Sequence, residues 1–243
     1  MNTQVTRRDL LAGAALLAGS ALVGCGGARN ESKQTSASET SESTAAPTDK
    51  QDEVATTEPA TDEQPTASDG SNRILVAYFS RADENYAGGN KEWLEVGHTK
   101  VMAGYIVDAL GADEYEIVPK QAYPEGYDDC CDVALEEQGS DARPAIANAL
   151  PDVSGYDVVF VGCPIWWGDE PMIIRTFLDG VDLSGKTVVP FTTHGGSGLG
   201  NVPANLQGSV SSATFLDGHA VAGTAVDGAR DEVTSWAKGL GVA

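Results

Sequence analysis

The chain has 243 residues, 41% of them hydrophobic, which is enough for one ordinary domain with sequence to spare. Its 36 acidic and 15 basic residues leave a formal charge of -21, which excludes a nucleic-acid binder, since that needs basic surface against phosphates. The acidity suits a protein that avoids nonspecific association but identifies no partner by itself.

The first segment is read as targeting sequence. Thr6-Arg7-Arg8-Asp9-Leu10-Leu11 is a twin-arginine pattern, followed by an apolar stretch from Leu10 to Val23. That stretch is too short and too rich in Gly and Ala for a comfortable membrane span. Leu22-Val23-Gly24-Cys25 resembles a bacterial lipobox. The expectation is a signal peptide over residues 1–24, cleaved before a lipid-bearing Cys25, with a lipid anchor as the only membrane contact. The protein is then held on the outer face of the cytoplasmic membrane. Twin-arginine signals resemble those of proteins exported already folded, often around a cofactor. Residues 25–72 are rich in Ser, Thr, Ala, Glu, Asp and Pro and nearly free of large apolar side chains. Such a segment cannot offset its own ordering entropy and is expected to be a disordered tether spanning ~35–40 Å.

An α/β domain is expected over residues 73–243. Ile74 to Phe79 is a continuous apolar strand. Lys100 to Leu110 carries a helical stripe of Val101, Tyr105 and Ile106, with Gly111 just past its end. Tyr115 to Val118 is a second strand, and Asp128 to Glu137 a helix. Asp157 to Cys163 is a third strand, followed by a short helix from Met172 to Leu178 after Pro171. Thr187 to Thr192 is a fourth strand, Ala213 to Leu216 a fifth that can run on to His219, and Asp227 to Leu240 a closing helix. Strand and helix alternate about five times, which calls for a five-stranded parallel sheet with helices on both faces.

In such a sheet all strands end on one side, so the loops after the first, third and fourth strands converge there. The first loop starts at Ser80-Arg81 and returns at Gly97-His98-Thr99. Hydroxyls and open amides at a helix N-terminus suit a phosphate, although Thr99 alone also reads as an N-cap. The second is Pro164-Ile165-Trp166-Trp167-Gly168. Neighbouring side chains on an extended chain point oppositely, so the two indoles cannot fill one core, and one of them suits a flat aromatic ligand. The third, Thr193-His194-Gly195-Gly196-Ser197, lets backbone groups approach a ligand edge closely. Other chemistries are thin. The Gly-x-Ser-x-Gly elbow fails because the window from Gly195 ends in Leu199, and no Gly-x-Gly-x-x-Gly follows the first strand. His98, His194 and His219 lack metal-site spacing, and Cys130, Cys131 and Cys163 form no disulfide framework.

Taken together, Ile74-Leu-Val-Ala-Tyr-Phe-Ser-Arg81, Asp141-Ala-Arg-Pro144, Pro164 to Gly168, Arg175-Thr-Phe-Leu178 and Thr193-His-Gly-Gly-Ser-Gly198 resemble the bacterial flavodoxin-like proteins. The resemblance implies a sheet of order 2-1-3-4-5 that binds FMN without a covalent link. It places the phosphate on Ser80, Arg81, Gly97, His98 and Thr99. The ring then lies between Pro164, Ile165, Trp166, Trp167 and Gly168 on one side and Thr193, His194, Gly195, Gly196 and Ser197 on the other. Trp167 takes the stacking role, Gly168 the peptide that turns its carbonyl toward the flavin on reduction, and Trp166 packs inward or covers the ring edge. Asp169 and Glu170 are expected to put negative charge near the ring. The insert between Ser80 and Gly97, residues 82–96, departs from the compact family loop and is read as a lid. The implied activity is electron transfer with a redox partner protein or small-molecule acceptor. An NAD(P)H-dependent quinone or nitro-compound reductase and a cofactor-free binding module stay open as alternatives.

Overall fold

The computed structural model describes residues 72–243; the expected signal peptide, Cys25 and the tether up to residue 71 lie outside them. The chain opens with β1 (Ile74–Tyr78), a hairpin of β2 (Asp83–Ala87) and β3 (Asn90–Leu94), α1 (His98–Leu110), β4 (Asp113–Glu116) and α2 (Tyr127–Gly139). It continues through β5 (Val158–Pro164), α3 (Met172–Gly180), β6 (Thr187–His194) and α4 (Val202–Ser209). It closes with β7 (Thr214–Phe215), β8 (His219–Ala222), a 3-10 helix (Gly223–Gly228) and α5 (Arg230–Gly239).

The central sheet runs β4-β1-β5-β6, all parallel, with β7 and β8 both on the free side of β6. This is the expected 2-1-3-4-5 order, with the fifth strand broken in two. The break is a bulge opposite a proline. Val188 pairs with Phe215 and Phe191 with His219, so residues 189–190 oppose residues 216–218. Pro190 has no N–H to give the ladder. Gly218 is drawn so close that a Cβ there would lie 2.7 Å from the Pro190 carbonyl oxygen.

Alternation along the strands divides the core in two. Ile74, Val76 and Tyr78 of β1 join Met102 and Ile106 of α1 and Val233 of α5. Leu75 and Ala77 join Ile173 and Phe177 of α3 and Leu206 of α4. Both faces are covered, which is why β1 and β5 read as apolar runs and β6 carries the apolar stretch from Val188 to Phe191 before the buried Thr192 and Thr193.

One boundary moves, and the insert takes a definite form. The last helix starts at Arg230, because residues 223–228 wind as a 3-10 turn first. The insert after Ser80 is an antiparallel hairpin turned by Gly88 and Gly89 at φ +60° and +94°, the left-handed backbone that a two-residue hairpin turn needs. α4 was not foreseen. Among the described residues, no helix is long and apolar enough to cross a membrane.

Candidate functional site

β1, β5 and β6 end together, and the loops that follow them meet at that edge. The hairpin does not open the first loop. Gly97 sits against the far side of its base, where a Cβ would overlap the Arg81 carbonyl group and Ser80 Oγ. Ser80-Arg81 and Gly97-His98-Thr99 are therefore adjacent in space despite the intervening residues. Ser80 Oγ accepts from the Lys100 amide at 3.0 Å, which closes the start of α1. Gly97 offers no side-chain cap, so the first amides of α1 stay open for an anion. Thr99 is buried, its Oγ1 2.7 Å from that of Thr193, which ties the first loop to the third. Arg81 is also buried. Its terminal nitrogens donate to the carbonyls of Glu84, Pro124 and Glu125 at 2.6 Å, while its Nε has no hydrogen-bond partner.

The second loop is a tight turn. Trp166 N donates to Asp169 O at 2.9 Å and Asp169 N to Trp166 O at 3.0 Å. Trp167 and Gly168 between them have φ +53° and +90°, a conformation a bulky residue rarely adopts. The turn separates the two indoles. Trp166 stands edge-on to Tyr123 and Phe79, with centroids 4.9 and 5.5 Å away. Trp167 is lifted out to 55% exposure, and its Nε1 donates to Cys131 O of α2 at 2.9 Å. The Gly168 carbonyl, assigned a turning role above, accepts from Asn201 N at 2.8 Å and is held by the chain entering α4.

The third loop continues β6. Ile165 N donates to Thr193 O at 3.1 Å, and His194 Nδ1 accepts from Gly196 N at 2.9 Å. The three loops enclose a cavity of about 680 Å3, within the usual range for small-ligand sites. Arg81, His98 and Thr99 line one part, Pro164, Ile165, Trp166, Trp167 and Gly168 another, and Thr193, His194, Gly195, Gly196 and Ser197 a third. Ser80 and Gly97 do not line it; they brace the start of α1 from behind.

The family is decided by the match over this same domain. A model of the flavodoxin family matches residues 73–240. The chain belongs to the flavodoxin family. A candidate flavoprotein from Bacteroides eggerthii is 34% identical, over 67% of this chain and 98% of its own, with a TM-score of 0.53. Another from Bacteroides uniformis is 30% identical, over 69% and 99%, with a TM-score of 0.56. A flavoprotein from Lactobacillus acidophilus, solved in complex with FMN, is 21% identical, over 68% and 99%, with a TM-score of 0.49. No curated protein matches the chain.

This flavodoxin has a wall that the sequence reading missed. Tyr127, Asp128, Cys131 and Asp132 of α2 line the cavity, as do Asn85 and Tyr86 of the hairpin. The missed signal was the parallel sheet itself, because the loop after β4 also reaches this edge. The hairpin leans on that wall. The Glu84 carboxylate accepts from Tyr127 N at 2.9 Å, Lys91 Nζ reaches Asp128 at 2.6 Å, and the Tyr86 and Tyr127 rings stack with centroids 5.8 Å apart.

The acidic rim expected from Asp169 and Glu170 is corrected. Glu170 is 3% exposed, and its carboxylate takes Arg175 Nε at 2.8 Å and Asn205 Nδ2 at 2.9 Å. Asp169 is held by Gln138 at 2.7 Å and Asn201 at 2.8 Å. Neither residue lines the cavity. A carboxylate this buried needs a cation and donors, so Glu170 braces the loop and adds no charge to its rim. The acids at the cavity are Asp128 and Asp132. Among the described residues, no group of His, Cys, Asp and Glu is placed to hold a metal.

Burial pushes the Cys130 thiol up to about 11 and holds the His98 and His194 imidazoles below their usual 6.5. For an imidazole lowered on folding, the unfolded chain binds the extra proton first. Its contribution is complete above 6.5 and is lost as pH falls from there through the lowered values. Thermal melts of the unliganded protein from neutral to mildly acidic pH should show this loss, smaller in His98→Gln. Identical profiles for the two proteins would contradict it.

Proposed function

We propose that this flavodoxin binds FMN and carries electrons between a redox partner protein and an acceptor, held by lipid on Cys25 at the outer face of the cytoplasmic membrane. The observation that supports it is one cavity with a donor end and an aromatic end, at the carboxyl edge of β1, β5 and β6. The donor end fits a phosphate, since the open amides of α1 and the unpartnered Arg81 Nε both want an acceptor. The aromatic end fits a flat ring, since the turn holds Trp167 at φ +53° and leaves it exposed. When bound, FMN supplies the reversible uptake and release of electrons.

The chain's own residues bind and tune. The amides of His98 and Thr99 fix the phosphate, and Nε is the one Arg81 nitrogen left to support it. Trp167 stacks on the ring, which contributes ~0.5–1.5 kcal/mol beyond the area it buries. The Gly195-Gly196 backbone meets the ring edge. Asp128 and Asp132 disfavour added negative charge in the cavity and so lower the reduction potential, and a surface this acidic complements a basic partner.

The tryptophans provide the test. Trp167→Ala should raise the FMN dissociation constant by roughly tenfold, while Trp166→Ala, which removes the contacts to Tyr123 and Phe79, should mainly cost about 2–3 kcal/mol of stability. Unchanged FMN affinity in both variants would overturn the assignment of the loop. Photoreduction in two resolved one-electron steps supports a shuttle; steady turnover of NADH or NADPH with a quinone would make the protein a reductase. Palmitate labelling of the wild type that is lost in Cys25→Ser supports the anchor, and an unlabelled wild type contradicts it.

A further inference from the structure

We propose that the β2–β3 hairpin is a fixed arch over the phosphate end of the cavity, admitting a flavin mononucleotide and shutting out a dinucleotide such as FAD. The proposal rests on the flavin reading above and adds the element that selects the cofactor.

The hairpin springs from the phosphate cradle itself, leaving it at Arg81 and returning at Gly97, whose α-carbon lies against the Arg81 carbonyl. Its tip lands on the far side of the cavity. A Cβ on Gly88 would lie 2.7 Å from Thr224 Cγ2, just beyond β8, and a Cβ on Gly195 would lie 3.4 Å from the Tyr86 ring. Between root and tip the two strands therefore cross the edge of the sheet from β1 to beyond β6.

The arch is anchored along its length. Arg81 clamps the carbonyls of Glu84, Pro124 and Glu125, and Glu84 N donates to Glu125 O at 3.1 Å. The Glu84 carboxylate takes the first amide of α2, and Lys91 pairs with Asp128. These bonds join the hairpin to the loop before α2 and to that helix's first turn, so opening it would break several at once.

Cross-strand partners share a face, so the pair Asn85 and Glu92 alternates with the pairs Glu84–Trp93 and Tyr86–Lys91. Asn85 and its neighbour Tyr86 both line the cavity, and the half-exposed Glu92 carboxylate, outside that lining, lies 3.7 Å from Nε2 of His98, the first residue of α1. A chain of phosphates leaving the α1 amides meets that carboxylate and the closed strands. A monophosphate ends before them. A second phosphate carrying a nucleoside would need the hairpin's own space and would face the Glu92 charge.

The test is titration of the cofactor-free full chain with FMN and with FAD, together with the rate of FMN release. The wild type should prefer FMN by about a hundredfold or more. Replacing residues 82–96 by two glycines, a span the contact of Gly97 with Arg81 allows, should cut that preference at least about tenfold, through gained FAD affinity, and speed FMN release. Glu92→Gln keeps the hairpin and should cut the preference by up to about tenfold, so the test stands even if the shortened chain does not fold. Equal affinity of the wild type for FMN and FAD, or an unchanged preference in Glu92→Gln and in any shortened chain that folds, overturns the arch while leaving the flavin reading intact. A wild type that binds neither flavin overturns both.

Discussion

Alanine at Gly97 should raise the FMN dissociation constant by about a hundredfold or more. The cause is contact and not backbone angle, since Gly97 has φ -65° and ψ 144°, open to any residue. Its Cβ would overlap the carbonyl group of Arg81, a rigid piece of backbone, as well as Ser80 Oγ. Either the start of α1 or the end of β1 must move away. The amides proposed to hold the phosphate move with α1, and hydrogen bonds weaken steeply once distance and angle are lost. Overpacking of this kind also costs about 1–3 kcal/mol. Gly104 of the same helix is the control, because a Cβ there meets nothing within 4 Å. Gly104→Ala should leave FMN affinity unchanged and stabilise the fold by about 1 kcal/mol. Titration and thermal melts of the two variants check both statements, and a Gly97→Ala protein that binds like the wild type would show that this contact does not shape the cradle.

The largest loss of stability is expected from Arg175→Ala, at about 3–5 kcal/mol. Glu170 is 3% exposed, and removing Arg175 leaves its carboxylate buried with only the Asn205 amide at 2.9 Å. The exposed pair of Arg175 with Asp141 contributes little beside this. Arg143 makes comparable ion pairs to Asp141 and Asp179 at the surface, and Arg143→Ala should cost no more than about 1 kcal/mol. Glu170 directly follows the turn that lifts Trp167, so the Arg175 variant should also lose FMN affinity. Urea unfolding of the two variants separates a buried pair from surface ones; equal midpoints would mean that the Glu170 pair is not structural.

The same residues show what the sequence could and could not say. β1, β5 and β6 were legible because burial on both faces gives each a continuous apolar stretch, in β6 only from Val188 to Phe191. The hairpin was not, since Asp83, Glu84, Asn85, Lys91 and Glu92 carry no apolar alternation and act by docking onto α2. The break in the fifth strand depends on Pro190 meeting Gly218, residues far apart in the chain. Adjacent indoles had to diverge, and that was readable from strand geometry. The turn that puts Trp167 in the left-handed region was not, because only the paired bonds between Trp166 and Asp169 impose it. Asp169 and Glu170 looked like rim charges because their partners, Asn201, Asn205 and Gln138, sit on separate helices or at their ends.

In the proposed function, the α1 cradle and the Trp167 slot together hold one flavin mononucleotide. The direct measurement is a fluorescence titration of the cofactor-free chain with FMN, with riboflavin run alongside. One equivalent of FMN should bind with its fluorescence quenched by the stacked indole, and riboflavin, lacking the phosphate, should bind at least about a hundredfold more weakly. No saturable FMN binding, or riboflavin bound as tightly as FMN, would contradict the account.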